Sequence, residues 1–99
     1  MPKKIEIINE NNVLMVIGEL DYSNAITLFE NSLSEIDKLS QLKFDLSKLK
    51  TCNSVGLALI LEWVKVAKKN NKPIQFQAIP SQLQTISQAA GIESLIPRS

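Results

Sequence analysis

The sequence has 99 residues, of which 44% are apolar, and this length suits one compact domain over residues 1–99. Its 11 basic and 10 acidic residues give a formal net charge of +1, without the basic excess that is typical of nucleic-acid binding. Histidine is absent, which removes the commonest general base and metal ligand, and a single cysteine can form neither an internal disulfide nor an all-cysteine metal site.

Hydrophobic runs are short throughout the chain. The longest run of bulky apolar residues and alanine, Leu57 to Leu61, is far shorter than the roughly 20 residues that a membrane-spanning helix needs. The chain also lacks a positively charged start followed by an apolar stretch. We therefore expect a soluble protein without direct membrane insertion, and the single cysteine, Cys52, fits a reducing cytoplasm.

The first third of the chain predicts a β-hairpin and a helix. Lys4 to Ile8 and Val13 to Ile17 are rich in Ile and Val and are separated by an asparagine-rich segment that favours a tight turn. After Gly18, apolar residues recur at spacings of three and four, and Asp21 or Ser23 is available as an N-cap. The apolar residues that predict one buried face are Tyr22, Ile26, Phe29, Leu33 and Ile36.

The rest of the chain predicts two further strands and two further helices. Leu42, Phe44 and Leu46 alternate with polar residues as in a strand, and the polar segment 47–53 predicts a loop. A second helix is expected from about Ser54 to Asn70. The next strand carries Ile74, Phe76 and Ala78, and a third helix capped by Ser81 turns Leu83, Ile86 and Ala90 inward before a left-handed Gly91.

The predicted order is β, β, α, β, α, β, α. Strands that alternate with helices are usually joined by right-handed crossovers, which place successive strands parallel in one sheet. The hairpin adds an antiparallel edge strand. The expected fold is therefore α/β, with a mixed four-stranded sheet and three helices.

The second helix is more apolar than one packed face requires. Its large apolar residues cover an arc of roughly 220°, whereas packing on a core needs a stripe somewhat over about 100° wide. Leu57, Ile60, Leu61, Val64 and Ala67 form the centre of this arc, and Trp63 flanks it.

A second apolar shoulder lies near the start of this helix. Val55, Ala58 and Leu59 fall next to Glu62 on the side that should face outward. Either neighbouring helices cover this shoulder, or it is a patch that binds a partner.

Ser54 allows two interpretations. Asn53 or Ser54 can serve as an N-cap that accepts a hydrogen bond from a free amide of the first helical turn. A hydroxyl at a helix N-terminus is also a place where a phosphate is well tolerated, since the amides and the helix dipole favour negative charge.

Two segments resemble the STAS domain, the fold of anti-sigma factor antagonists. Phe44-Asp45-Leu46 is followed, after a short loop, by Asn53-Ser54-Val55-Gly56-Leu57, and Gly18-Glu19-Leu20-Asp21 matches the turn after the second strand. In that family an Asp-Leu pair leads to an Asp-Ser-Ser/Thr-Gly-Leu motif, so that Asn53 and Val55 depart from the pattern on both sides of the serine. Within the family, the segments 56–59, 67–69 and 96–98 are similar to STAS subunits of bacterial Mla phospholipid-transport systems.

The resemblance implies a non-catalytic accessory subunit without a cofactor. Its partner would be the ATPase of an inner-membrane ABC complex that maintains outer-membrane lipid asymmetry, and the chain would be peripheral to the inner membrane through that complex. The alternative implied by the family is an anti-sigma factor antagonist switched by phosphorylation of Ser54. The resemblance places Ser54 in the contact with the ATPase, and helix geometry adds the outward shoulder. The predicted partner-binding residues are Asn53, Ser54, Val55, Ala58, Leu59 and Glu62.

Overall fold

The computed structural model of the chain describes residues 4–51 and 54–98. Within these residues the helices and strands follow the predicted order, with one additional short strand. The strands are β1 (Ile5–Glu10), β2 (Val13–Leu20), β3 (Leu42–Asp45), β4 (Leu49–Thr51) and β5 (Ile74–Gln77). The helices are α1 (Ala25–Lys38), α2 (Val55–Lys69) and α3 (Ser81–Ala89), followed by a 3-10 turn at Glu93–Leu95.

The strands form one mixed sheet, as expected. β1 and β2 pair antiparallel, whereas β3 and β4 run parallel to β2 along its other edge and β5 runs parallel to β3. The described strands number five rather than the predicted four, because part of segment 47–53 is a strand and not a loop. Leu49 is buried despite its polar neighbours, and a turn closed by the Leu49 N–H and the Leu46 carbonyl returns the chain to β2. Since β3 and β4 follow one another along the same edge, the sheet remains four strands wide.

Gly18 allows β2 to pass close to β1. Its φ is +123°, and a Cβ at this position would lie 2.2 Å from the carbonyl oxygen of Lys4. Any side chain would therefore push the two strands apart. At the tip of the hairpin, Asn11 and Asn12 adopt the left-handed conformation that asparagine tolerates, as the turn prediction required.

The buried face of α1 differs from the predicted one. The predicted residue Ile36 is buried and Phe29 is half-buried, but Tyr22 is 69% exposed, Ile26 is 73% exposed and Leu33 is also exposed. The face that packs on the sheet instead follows Leu28, Ser32 and Ile36, spaced four residues apart. Apolar periodicity counts Ser32 as polar and therefore solvent-facing. It thus predicts the wrong face of α1 as the buried one.

The start of α1 is stabilised by Asp21. The helix begins after Asn24, but the carboxylate of Asp21 accepts hydrogen bonds from the amides of Ser23 at 2.8 Å and Asn24 at 3.2 Å. Asp21 thus satisfies amides of the turn that leads into the helix. The N-cap position itself belongs to Asn24, so the prediction of Asp21 or Ser23 as the N-cap is wrong.

Trp63 lies at the centre of the core, not at its flank as predicted. It is fully buried, and its ring stacks on Phe44 with 4.2 Å between centroids. The indole Nε1–H donates to the hydroxyl of Ser32 at 2.8 Å, and that hydroxyl donates to the Phe29 carbonyl at 2.6 Å. The buried serine therefore supplies the partner that a buried indole needs and joins α2 to α1.

The last elements close the other edge of the sheet. In α3, Leu83 is buried and Ile86 half-buried, but Ala90 is exposed, contrary to the prediction. Gly91 has φ +71° and ends the helix in the predicted left-handed conformation. Beyond it, the Pro97 carbonyl accepts a hydrogen bond from the Phe76 N–H at 2.9 Å, so that the C-terminal residues lie along β5.

Replacement of Ser32 tests the connection between α1 and α2. Ser32→Ala leaves the Trp63 N–H buried without an acceptor, which should lower the free energy of unfolding by about 1–3 kcal/mol. Urea denaturation followed by tryptophan fluorescence measures this loss. The matched control is Ser34→Ala on the exposed face of the same helix, which should change stability by no more than about 0.5 kcal/mol. Equal stability of the two variants would contradict this role for Ser32.

Candidate functional site

Ser54 occupies the N-cap position of α2. It is exposed, and its backbone carbonyl accepts the first hydrogen bond of the helix from the Ala58 N–H at 3.1 Å. Its hydroxyl does not cap the helix, so the predicted capping hydrogen bond is absent for this residue. Asn53, the other predicted cap and partner-binding residue, lies outside the described residues. The hydroxyl of Ser54 is therefore presented to solvent at the start of α2.

The predicted outward shoulder of α2 is only partly exposed. Ala58 and Glu62 face solvent as expected, but Val55 is 7% exposed and Leu59 is 4% exposed. The expectation that Val55 and Leu59 face outward is wrong, because both side chains join the hydrophobic core where α1 packs beside α2. The part of the shoulder that stays exposed is the strip of α2 formed by Ala58 and Glu62, which faces α1.

That strip is one wall of a groove between the helices, which we call the α1–α2 groove. Its volume is about 420 Å³. Glu62 is the one charged residue among those that line it, so its surface is mainly apolar. The lining residues are Tyr22, Ala25, Ile26 and Phe29 on the α1 side, and Val55, Ala58, Leu59 and Glu62 on the α2 side.

The α1 side of the groove was missed by the sequence prediction. Tyr22 and Ile26 were assigned to the core, yet they are among the most exposed large hydrophobic side chains of the described residues. Two such side chains beside the same groove give it an exposed apolar rim, a feature found at protein–protein contact sites. The sequence did contain a signal for this exposure, since apolar residues occur on two sides of α1. A helix that packs on one sheet buries only one of these sides, so the other is left exposed.

Electrostatic interactions at the groove are weak. Glu62 forms an ion pair with Lys65 one turn further along α2, at 3.3 Å between the carboxylate and Nζ, and both side chains are largely exposed. An exposed pair of this kind contributes at most about 1 kcal/mol. It leaves the Glu62 carboxylate available to exchange Lys65 for a cation on a partner.

Asp45 stabilises the turn between β3 and β4. Its Oδ1 accepts a hydrogen bond from the backbone N–H of Ser47 at 2.8 Å. This amide, together with the Ser47 hydroxyl and the Gln77 side chain, lowers the pKa of Asp45 below its ordinary value, and partial burial opposes the shift only in part. The structure therefore assigns Asp45, the last residue of β3, a loop-capping role.

Across residues 4–51 and 54–98, no three acidic or sulfur-bearing side chains come together as a metal site would require. In the same part of the chain, no helix combines the length and the apolar character needed to cross a bilayer.

Comparison with known protein families places this geometry in context. The family profile described as "Mlab, STAS domain" matches residues 5–97, which is nearly the whole chain. The chain is 27% identical over 93 residues to the intermembrane phospholipid transport system binding protein MlaB of Haemophilus influenzae, covering 89% of this chain and 88% of that protein.

Solved structures show the same fold at lower identity. An anti-sigma factor antagonist from Mycobacterium paratuberculosis superposes with a TM-score of 0.67 at 19% identity, covering 98% of this chain and 85% of the other. The Bacillus cell fate determinant SpoIIAA in its phosphorylated form gives a TM-score of 0.65 at 13% identity, covering 99% and 91%. These likenesses show the fold and not a shared activity.

The lowered pKa of Asp45 predicts a pH-dependent contribution to stability. Because the pKa is lower in the folded than in the unfolded chain, the contribution is fully present above the unfolded-state pKa and is lost as the pH falls through the folded-state pKa. Asp45→Asn should therefore be less stable than wild type at neutral pH, by less than about 1 kcal/mol for this partly exposed group.

The difference between Asp45→Asn and wild type should shrink as the pH is lowered, and urea titrations at a series of pH values measure it. Ser47→Ala is the matched control, because it removes only the hydroxyl and keeps the backbone donor, and it should lose less. A difference between Asp45→Asn and wild type that stays constant with pH would contradict the assignment.

Proposed function

Because the chain belongs to the STAS domain family, we propose that it is a non-catalytic accessory subunit of an inner-membrane lipid-transport ABC complex. In this proposal it binds the ATPase subunit of the complex from the cytoplasmic side. The similarity to the Haemophilus phospholipid transport system binding protein supports the lipid-transport setting. The single observation that carries the binding role is the exposure of Tyr22 and Ile26 beside the α1–α2 groove.

The groove provides the binding energy in this proposal. An apolar segment of the ATPase that covers Ile26 removes a side chain from water whose full burial is worth about 1.5–3 kcal/mol. Tyr22 adds an aromatic surface with a hydroxyl that can hydrogen-bond at the rim, a combination enriched at interfaces. Since the floor of the groove is already packed, the partner meets a preformed surface and little ordering is required.

Ser54 lies at the edge of the same surface. It directly precedes Val55, which lines the groove, and its hydroxyl is exposed. A segment seated in the groove would therefore come within reach of the start of α2. The hydroxyl is small enough to allow close approach of a second backbone and can donate or accept a hydrogen bond there.

Accessory function of this kind needs no chemistry within the chain. A protein that binds the folded ATPase and not its unfolded form stabilises it by mass action, in proportion to the logarithm of its concentration relative to the dissociation constant. The proposal therefore assigns the chain the role of stabilising or regulating its partner through contact alone.

A charge introduced in the groove should weaken binding. Ile26→Asp places a carboxylate on the apolar surface, and because Ile26 is 73% exposed the substitution should leave the fold intact. We expect the affinity for the cognate ATPase to fall about tenfold or more, measured by co-purification and calorimetry. Ser54→Arg should also weaken the complex, since a long charged side chain would stand where the partner approaches the start of α2.

The matched control is Leu95→Asp. Leu95 is a large hydrophobic residue that is 52% exposed, but it lies outside the groove, so this variant should bind like wild type. If Ile26→Asp binds with wild-type affinity, the groove is not part of the interface. If only Ser54→Arg binds with wild-type affinity, the groove remains in the interface and Ser54 does not.

A second candidate function is that of an anti-sigma factor antagonist switched by phosphorylation of Ser54. The exposed hydroxyl at the N-terminus of α2, a helix of 15 residues, favours this candidate because the positive end of the helix dipole stabilises a phosphate. Similarity of fold to anti-sigma factor antagonists is consistent with it.

Mass spectrometry separates the two candidate functions. After incubation with the cognate kinase and ATP, the accessory-subunit proposal expects no stoichiometric phosphate on Ser54. A stoichiometric phosphate that disappears in Ser54→Ala, together with release of a partner on phosphorylation, would favour the antagonist instead. Ser23 is an internal control, because it is also an exposed serine hydroxyl close to a helix start.

A further inference from the structure

The two edges of the sheet differ in whether further backbone covers them. At β5, the backbone of the C-terminal residues lies along the outer edge, with the Phe76 N–H donating to the Pro97 carbonyl. At β1, no other strand from residues 4–51 or 54–98 lies on the outer edge. An open edge carries unpaired backbone donors and acceptors that can pair with a further strand.

The orientation of the β1 backbone follows from two hydrogen bonds. The Glu19 N–H donates to the Lys4 carbonyl at 3.1 Å, so that these two residues form a hydrogen-bonded pair of the antiparallel ladder. The next pair, Ile5 and Gly18, is then non-hydrogen-bonded. The Gly18 N–H accordingly points away from β1 and donates to the Lys48 carbonyl. Because of this alternation, every second residue of β1 points its backbone N–H and C=O away from β2, toward the open edge; we call these residues outward. The outward residues are Ile5, Ile7 and Asn9.

We propose that two copies of this chain associate through their β1 edges, antiparallel and centred on Ile7. This register places Ile7 opposite Ile7 of the second copy and Ile5 opposite its Asn9, so that all three outward residues take part in hydrogen-bonded pairs. The two sheets become one continuous sheet. The arrangement is isologous, since the same surface is used on both copies and the assembly closes as a dimer.

Charge complementarity selects this register. It sets Lys4 opposite Glu10 of the second copy at both ends of the new ladder, where opposite charges stabilise a cross-strand pair. Both residues are exposed, and within the described part of the chain neither forms an ion pair. Glu6 lies opposite Ile8 of the second copy, a side chain that is exposed in the single chain.

Neighbouring registers are less favourable. A shift by two residues sets Glu6 opposite either Glu6 or Glu10 of the second copy, and like charges directly opposite each other destabilise a strand pair. A shift by one residue places each outward residue of one copy opposite an inward residue of the other, so the backbone hydrogen bonds between the two β1 strands cannot form. Among these neighbouring registers, backbone pairing and charge agree only in the centred one.

A cleft of about 510 Å³ lies between α1 and the sheet beside the start of β1, and its α1 side carries Asn24, Thr27 and Asn31. Ile5 lines the same cleft, and in the proposed register the polar Asn9 of the second copy lies next to Ile5. The dimer uses none of the residues that line the α1–α2 groove, so it is independent of the proposed function.

A charge-swap series tests the dimer. Sedimentation of the full chain over a range of concentrations should show a reversible monomer–dimer equilibrium. Lys4→Glu and Glu10→Lys should each weaken the dimer about tenfold or more, because each change replaces two opposite-charge pairs with two like-charge pairs. The double variant exchanges the charges and should restore the wild-type dissociation constant.

A matched control and a backbone variant sharpen the result. Exchanging the ion pair on α1, Glu35→Lys with Lys38→Glu, reverses two charges away from β1 and should leave the equilibrium unchanged. Ile7→Pro removes an outward N–H without touching the ladder to β2 and should abolish the dimer. A wild-type chain that stays monomeric, single variants that dimerise like wild type, or a double variant that fails to recover would each overturn the proposal.

Discussion

The hydrogen bond between the Trp63 indole and the Ser32 hydroxyl is the interaction on which the arrangement of the helices depends. It joins α2 to α1 inside the core, where neither group has access to water. A buried indole N–H without a partner would cost about 1–3 kcal/mol, so the rotation of α1 that places its serine against the tryptophan is favoured by that amount. The same rotation buries Leu28 and Ile36.

The rotation of α1 in turn determines which of its apolar residues face solvent. With Leu28, Ser32 and Ile36 on the sheet, Ile26 must point elsewhere, and it lies at the rim of the groove beside α2. Tyr22 precedes the helix and joins the same rim. A packing requirement in the core therefore produces an exposed apolar surface next to Ser54, which is the surface that supports the proposed binding of an ATPase.

The two proposed surfaces rely on different forces. The groove presents preformed apolar side chains, so burial of hydrophobic area would drive binding there. The β1 edge presents backbone groups and a pattern of charges, so that register and salt concentration would govern association there. Because the surfaces share no residue, a dimer joined through β1 would carry two complete grooves, and each copy could bind a partner independently.

The sequence by itself determined the fold class, the order of the main elements, the limits of α2 to within a residue and the position of Ser54 at its start, because these depend on local patterns and on a recognisable motif. Only the tertiary structure decided that Val55 and Leu59 are buried, that Ile26 is exposed and that a short strand follows β3. Periodicity identifies an apolar face, but it cannot say which of two faces meets the sheet when a buried serine completes a hydrogen bond from another helix. That choice is made by contacts between residues distant in sequence, such as Ser32 and Trp63.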